Sequence, residues 1–405
     1  MKFIQKNLII IILLFVLAEV LLPIDNIYIL QTALKLFLFF FFIALLKNKQ
    51  KLQILKTISG IYVVYILWLA VIDYFQVNDA AVFSTWWSIS LPLMCYHIGY
   101  YCFGTKNGLE NLLKQVYWAS IIYIFYFFTI QFFSFDSESY LSYSGTFQLG
   151  AIRNKRIYVL SFFAVLLLFA LITKTFKKKK SSFISLMLMV LIAVVFISFR
   201  RTAWVCLFIG IFVLLIRTNL KKGFGILLIV GFSFTVLSLT FSNVIDSQLE
   251  SRRGSLELGE LENVVVDYRV LEYIYIAQDI SNNSLGWILF GDENRFHDRV
   301  FWWEKARVDN SIHTDIVAII FSTGIFGLIF YLLIYYIMFA KVRWRTIANG
   351  KNKQIRGYKT LTYALIIMNV AVLFSGGIYK VPINGAVSFL FIGSLIGVLN
   401  KNFKN

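Results

Sequence analysis

Charge is scarce in this 405-residue chain: Asp, Glu, Lys and Arg make up 15% of it, against about a quarter in a soluble domain. Proline and cysteine are scarcer still, three of each. Cys95, Cys102 and Cys206 fall within or at the ends of apolar runs, so neither a disulfide framework nor a metal-ligand spacing can be built from them. Pro23, Pro92 and Pro382 leave most of the chain free of helix breakers. There is no internal repeat and no low-complexity tract. No small-residue cleavage site follows the first apolar run, which reads as a retained helix and not a signal peptide.

What fills the chain instead is apolar. Hydrophobic residues make up 59% of it, in runs of about 17 to 25, and about 20 helical residues cross a hydrocarbon core of roughly 30 Å. A backbone in lipid must satisfy its own hydrogen bonds, so such runs are helices. They do not alternate, which excludes a β-barrel. The spans predicted are 8–24, 27–46, 57–77, 83–103, 113–133, 157–173, 182–199, 202–217, 223–242, 314–340, 360–380 and 383–399. The fold class expected is an all-α polytopic membrane protein of about 12 transmembrane helices, with a large external loop between the ninth and tenth.

The net charge of +18 does not point to nucleic acid, because the basic residues sit in short loops between apolar runs. Lys47, Lys49, Lys51 and Lys56 share one loop, and Lys174 and Lys177 to Lys180 another. Arg217, Lys221 and Lys222 follow, then Lys341, Arg343 and Arg345. These loops fall at alternate gaps, so one orientation satisfies the positive-inside rule for all of them. Both termini are then cytoplasmic. The chain divides into helices 1–9 (1–242), an external segment (243–312) and helices 10–12 (313–405). The external segment holds thirteen of the 21 acidic residues and reads as a small, mostly helical cap, with an amphipathic helix from Val265 to Ile280 ended by Asn282, Asn283 and Gly286.

On this topology ten of the 14 arginines face outward, against three of the 25 lysines. Topology alone treats the two types alike. A guanidinium offers a rigid donor fork that fits a phosphate or carboxylate, whereas an ammonium is a point charge. The outer face is thus equipped to hold anions. The plainer alternative is that these arginines pair with the acids of the cap, above all Arg295, Arg299 and Arg307.

Three stretches carry candidate chemistry. In SFRRTAW (198–204), Arg200 and Arg201 occupy a very short outward turn, where charge at the membrane boundary is costly. Their partner is a phosphate or diphosphate, or else a cap carboxylate. In DNSIHTDIVAIIFSTGIFGLIFYLL (309–333), Asp309, His313 and Asp315 lead into an apolar helix. A neutral imidazole there can take a proton or orient a hydroxyl, or it is simply an interfacial histidine. Gly324 and Gly327 suggest close helix packing. In DYRVLEYIYIAQDISNNSLGWILFGDEN (267–294), Arg269 opens the amphipathic helix and a Phe-Gly turn closes the stretch.

The order of these features resembles the O-antigen polymerase and O-antigen ligase superfamily, over about 198–333. SFRRTAW is similar to the family's Ser-x-x-Arg turn, which maps its arginine onto Arg200 or Arg201. Arg269 matches the loop arginine, ILFG (288–291) the Phe-Gly turn, and HTDIVAIIFSTGIFG (313–327) the His-containing motif with trailing glycines. Asp292 follows Gly291 where a second glycine is common, and Thr314 replaces a frequent asparagine. The resemblance implies a glycosyltransferase acting on a polyprenyl-diphosphate-linked oligosaccharide, with no cofactor, nucleotide sugar or metal. Arg200, Arg201 and Arg269 would bind the diphosphate. His313, with Asp315 second, would serve the acceptor hydroxyl, membrane lipid would surround the site, and a chain-length regulator would be a partner. A polymerase is expected. A ligase, or a flippase for the same lipid, is the alternative, and the scarcity of proline and of charge inside the spans weighs against a transporter.

Overall fold

The computed structural model describes residues 2–18, 24–45, 47–77, 81–133, 158–175, 178–197, 201–218, 258–261, 264–292, 300–301, 310–311, 314–343, 353–374 and 382–401. Within them the chain is overwhelmingly helical. The first nine helices are α1 (Lys2–Ala18), α2 (Ile24–Leu45), α3 (Asn48–Leu55), α4 (Ile58–Val77), α5 (Ala81–Cys102), α6 (Lys106–Phe133), α7 (Tyr158–Ile172), α8 (Lys178–Ile197) and α9 (Arg201–Thr218). After them come α10 (Tyr268–Asn282), α11 (Leu285–Phe290), α12 (Asp315–Arg343), α13 (Lys353–Leu373) and α14 (Pro382–Lys401).

Two short antiparallel strand pairs interrupt this pattern. β1 (Leu258–Leu261) runs beside β2 (Val264–Asp267), and β3 (Val300–Phe301) beside β4 (Asn310–Ser311). The amphipathic helix expected from Val265 therefore starts at Tyr268. Its first residues are drawn into β2, where the β-branched run Val264-Val265-Val266 fits a pleated strand. The basic loop 47–56 folds into α3. The expected span 223–242 lies outside the described residues; the other eleven fall on helices.

Two helices among the described residues are long and apolar enough to cross a bilayer, over Ile58–Gln76 and Asp315–Val342. The first is apolar on its outer face too: Ile61, Val64, Trp68 and Phe75 are all exposed, Phe75 at 80%. Such a face is unfavourable in water and suited to hydrocarbon.

The tightest seam joins α5 to α14. A side chain on Gly99 would strike the Leu390 carbonyl, and one on Gly393 the Tyr96 carbonyl, so only glycine lets these backbones approach. Ser394 Oγ donates to Phe103 O at 2.8 Å, and Asn400 Nδ2 to Tyr100 Oη at 2.6 Å.

Contacts also fix the direction of three neighbours. Ser161 Oγ donates to Ala203 O at 3.0 Å, and Gly210 seats against Val165, so α7 and α9 run the same way. Phe169 meets Tyr358 while Met368 meets Gly210, so α13 runs against both. The Arg201 end of α9 and the Phe374 end of α13 therefore lie at one end of the bundle.

Candidate functional site

At that end, α10 is held by two long-range bonds. Tyr273 Oη donates to Phe374 O at 3.0 Å. Glu272, fully buried, accepts from Thr314 N at 2.9 Å and from Thr314 Oγ1 at 3.0 Å through one carboxylate oxygen. Thr314 immediately precedes α12, and its carbonyl takes the N–H of Ala318 at 3.1 Å. The orphan donors of a helix start need such an acceptor. Here it comes from the helix that carries Arg269, three residues before Glu272.

The tenth span was expected as one continuous helix over 314–340, but α12 is broken. Gly324 has φ 66° and ψ −171°, outside any helix. The break exposes carbonyls at the end of the first half, and other segments supply their donors. Asp292 N donates to Phe321 O at 2.8 Å, and Tyr65 Oη to Thr323 O at 2.8 Å.

The Phe-Gly turn fills the break. Ser284 caps α11, its Oγ accepting from Trp287 N at 3.3 Å, and Gly291 ends it with φ 88°. A side chain on Gly291 would strike Phe321 O, and one on Gly324 would strike Leu289 O. The two glycines thus interlock turn and break. Gly324 thus allows the close helix packing expected of it, with α11 as the neighbour, whereas Gly327 faces the Thr323 side chain of its own preceding turn.

Asp315, the first residue of α12, is fully buried. Asp315 therefore lies inside the bundle and not at its rim. Tyr335 stands beside Tyr331, with ring centroids 5.5 Å apart, and packs on Phe389 at 5.8 Å. Next to Phe389, Ser388 Oγ donates to Asn369 Oδ1 at 2.9 Å. Asn369 Nδ2 is buried without a hydrogen-bond partner among the described residues. Buried polar atoms of this kind are uncommon and mark a place able to receive a polar ligand.

The other predicted residues are placed less fully. Arg201 opens α9 and Arg269 is the second residue of α10, but their side chains lie outside the described residues, as do Arg200 and His313 altogether. The structure nonetheless brings Arg269's helix, Thr314-Asp315 and the Phe-Gly turn around one half-helix, with the start of α9 at the same end of the bundle. Among the described residues no group of three or more His, Cys, Asp and Glu side chains is placed to hold a metal.

Sequence reasoning missed Glu272, Tyr335 and Asn369. The first had a readable signal. Leu271, Tyr275 and Ile276 form the buried face of α10, and Glu272 sits on that same face at helical spacing. A lone carboxylate on an apolar stripe requires a partner. No protein-family model matches the chain, and no curated protein matches it.

Proposed function

We propose that the chain is a multi-pass membrane glycosyltransferase that polymerises a polysaccharide from polyprenyl-diphosphate-linked repeat units. The observation that carries this reading is the convergence around residues 315–323. Glu272 grips Thr314 at one end of the half-helix and Gly291 interlocks with Gly324 at the other. The stretches that resemble the polymerase and ligase superfamily are distant in sequence, yet three of them meet there. The exposed apolar face of α4 supports insertion in a bilayer, and the alternating basic loops support about twelve spans with external chemistry.

In this reading an acceptor sugar hydroxyl attacks the anomeric carbon of the growing glycan. The new glycosidic bond forms as the bond to the diphosphate oxygen breaks, and polyprenyl diphosphate leaves with the electron pair. Arg200 or Arg201, with Arg269, stabilises the charge that builds on the leaving group; fixed donors in a partly dehydrated site do this without reorganising. The hydroxyl proton passes to His313, or to Asp315. Tyr335 and Asn369 offer the acceptor polar contacts.

The test is elongation by the pure protein. Given only lipid-diphosphate-linked repeat units in detergent, it yields a ladder spaced by one unit and releases polyprenyl diphosphate. A ligase needs a distinct acceptor and yields no ladder. The break at Gly324 favours one second reading, a flippase, since transporters build their sites from discontinuous helices. A flippase moves the lipid across a sealed vesicle and leaves its glycan unchanged; movement without elongation overturns the enzyme reading.

A further inference from the structure

The opposite end of the same bundle carries a second feature of different chemistry. Thr173, Lys174 and Thr175 follow α7, Lys106 opens α6 and Gln354 lies at the start of α13. Together with Leu109, Glu110, Leu113 and Tyr358 they enclose a cavity of about 200 Å³. Since α13 runs from Gln354 here to Phe374 at the candidate site, the two regions lie about 30 Å apart by its 21 residues.

Most of the surface lining this cavity is polar. Leu109, Leu113 and Tyr358 are buried, whereas Lys106, Lys174 and Gln354 are exposed. Three hydroxyls turn toward one another or toward an amide: Thr173 Oγ1 lies 2.8 Å from Thr175 Oγ1, and Gln354 Nε2 donates to Tyr358 Oη at 2.8 Å. Glu110 also lines the space, yet neither Lys106 nor Lys174 has an ion-pair partner among the described residues. Lys174 itself adopts φ 55°. It is the left-handed residue that closes α7, with Lys174 N donating to Leu171 O at 3.2 Å and Thr175 N to Ala170 O at 3.0 Å, and this cap fixes the two threonines and Lys174 at the cavity.

We propose that this cavity is an anion site that binds a phosphate group. Two ammonium groups supply the charge, and hydroxyls and an amide supply directional bonds. The size selects a single phosphate head. It is smaller than the roughly 300–1,000 Å³ of pockets that enclose a drug-sized ligand, so a nucleotide does not fit inside. On the orientation proposed above the site faces the cytoplasm, where pockets between membrane helices meet anionic headgroups, and the basic run Lys177 to Lys180 follows Thr175 closely in sequence. The phosphate belongs either to such a headgroup or to a soluble anion, and experiment separates the two.

The test uses the full-length protein in detergent, with thermal unfolding and binding read together. One arm titrates inorganic phosphate. The other titrates short-chain phosphatidylglycerol against phosphatidylcholine of equal chain length. The variants are Lys106→Gln with Lys174→Gln, and Lys174→Gly alone, which removes the ammonium while suiting the left-handed backbone and so guards against misfolding. Phosphatidylglycerol is expected to bind and stabilise the parent more than phosphatidylcholine does, and the double variant to bind it roughly tenfold or more weakly. Lys49→Gln, at an exposed lysine of α3 outside both sites, leaves this binding unchanged. Binding of inorganic phosphate with the same loss assigns a soluble anion instead and also upholds the site. If neither probe binds, or if both bind the double variant and Lys174→Gly as they bind the parent, the proposal is wrong. Elongation activity plays no part in this readout, so its fate is independent of the transferase reading.

Discussion

One carboxylate oxygen of Glu272 takes both the backbone N–H and the hydroxyl of Thr314, at 2.9 and 3.0 Å, in a fully buried position. This joint fixes α10 to the head of α12, 42 residues later in the chain. Removing either side leaves a buried polar group without its partner. Glu272→Ala is expected to destabilise the protein by about 1–3 kcal/mol and to lower transfer, because Arg269 rides on the same helix. Glu272→Gln keeps an acceptor oxygen and should lose less. Thermal unfolding of both variants and of Thr314→Val, combined in a double-mutant cycle, measures the coupling; additive losses would show that the joint carries nothing.

The interlocked glycines make a sharper prediction. At Gly291 and Gly324 a methyl group meets backbone, and the positive φ is unfavourable for an L side chain. Gly291→Ala and Gly324→Ala should each cost more than about 1 kcal/mol and reduce the yield of folded protein. Gly286 is the control: its added Cβ would meet only Ser284 Oγ at 3.8 Å, so Gly286→Ala should fold normally. Fluorescence-detected size-exclusion chromatography of the three variants decides it.

The arginines and the proposed base are tested by activity. If Arg200, Arg201 and Arg269 hold a diphosphate, Arg269→Lys already impairs transfer, since an ammonium cannot replace the fork, and Arg269→Ala is worse. At the adjacent pair, the essential member shows the same order. His313→Ala should insert normally and lose about 10²–10⁴-fold in turnover, with donor binding better preserved. Near-normal polymer from the Arg200→Ala, Arg201→Ala double variant at normal expression would remove the diphosphate role. Unchanged turnover in His313→Ala would move the proton to Asp315.

Orientation is tested by cysteine accessibility in intact cells. After replacement of Cys95, Cys102 and Cys206, a single cysteine at position 260 should label from outside, and one at position 178 only after the membrane is opened. External labelling at 178 would invert the topology, and with it the side assigned to both sites.

The sequence by itself determined where the long apolar helices lie. Apolar run length needs no knowledge of neighbours, since each helix satisfies its own backbone bonds; the eleven expected spans within the described residues all fall on helices. It also identified Asp315 and the Phe-Gly turn, because their residue types are unusual for their surroundings. What only the tertiary structure decided is how those pieces meet. No local pattern announces that Glu272 will close on Thr314, that Tyr65 and Asp292 will cap the carbonyls freed at residue 324, or that Asp315 will be buried. Valines 264 to 266 favour a strand by their branched side chains although they extend the amphipathic pattern of the helix, and pairing with the partner strand settles the choice. Gly324 reads as a packing glycine, but only the structure names its neighbour, the backbone of Leu289 and Phe290 in α11. The helices follow from each residue's own preference for lipid and backbone bonding, whereas the site depends on contacts between residues tens to hundreds of positions apart.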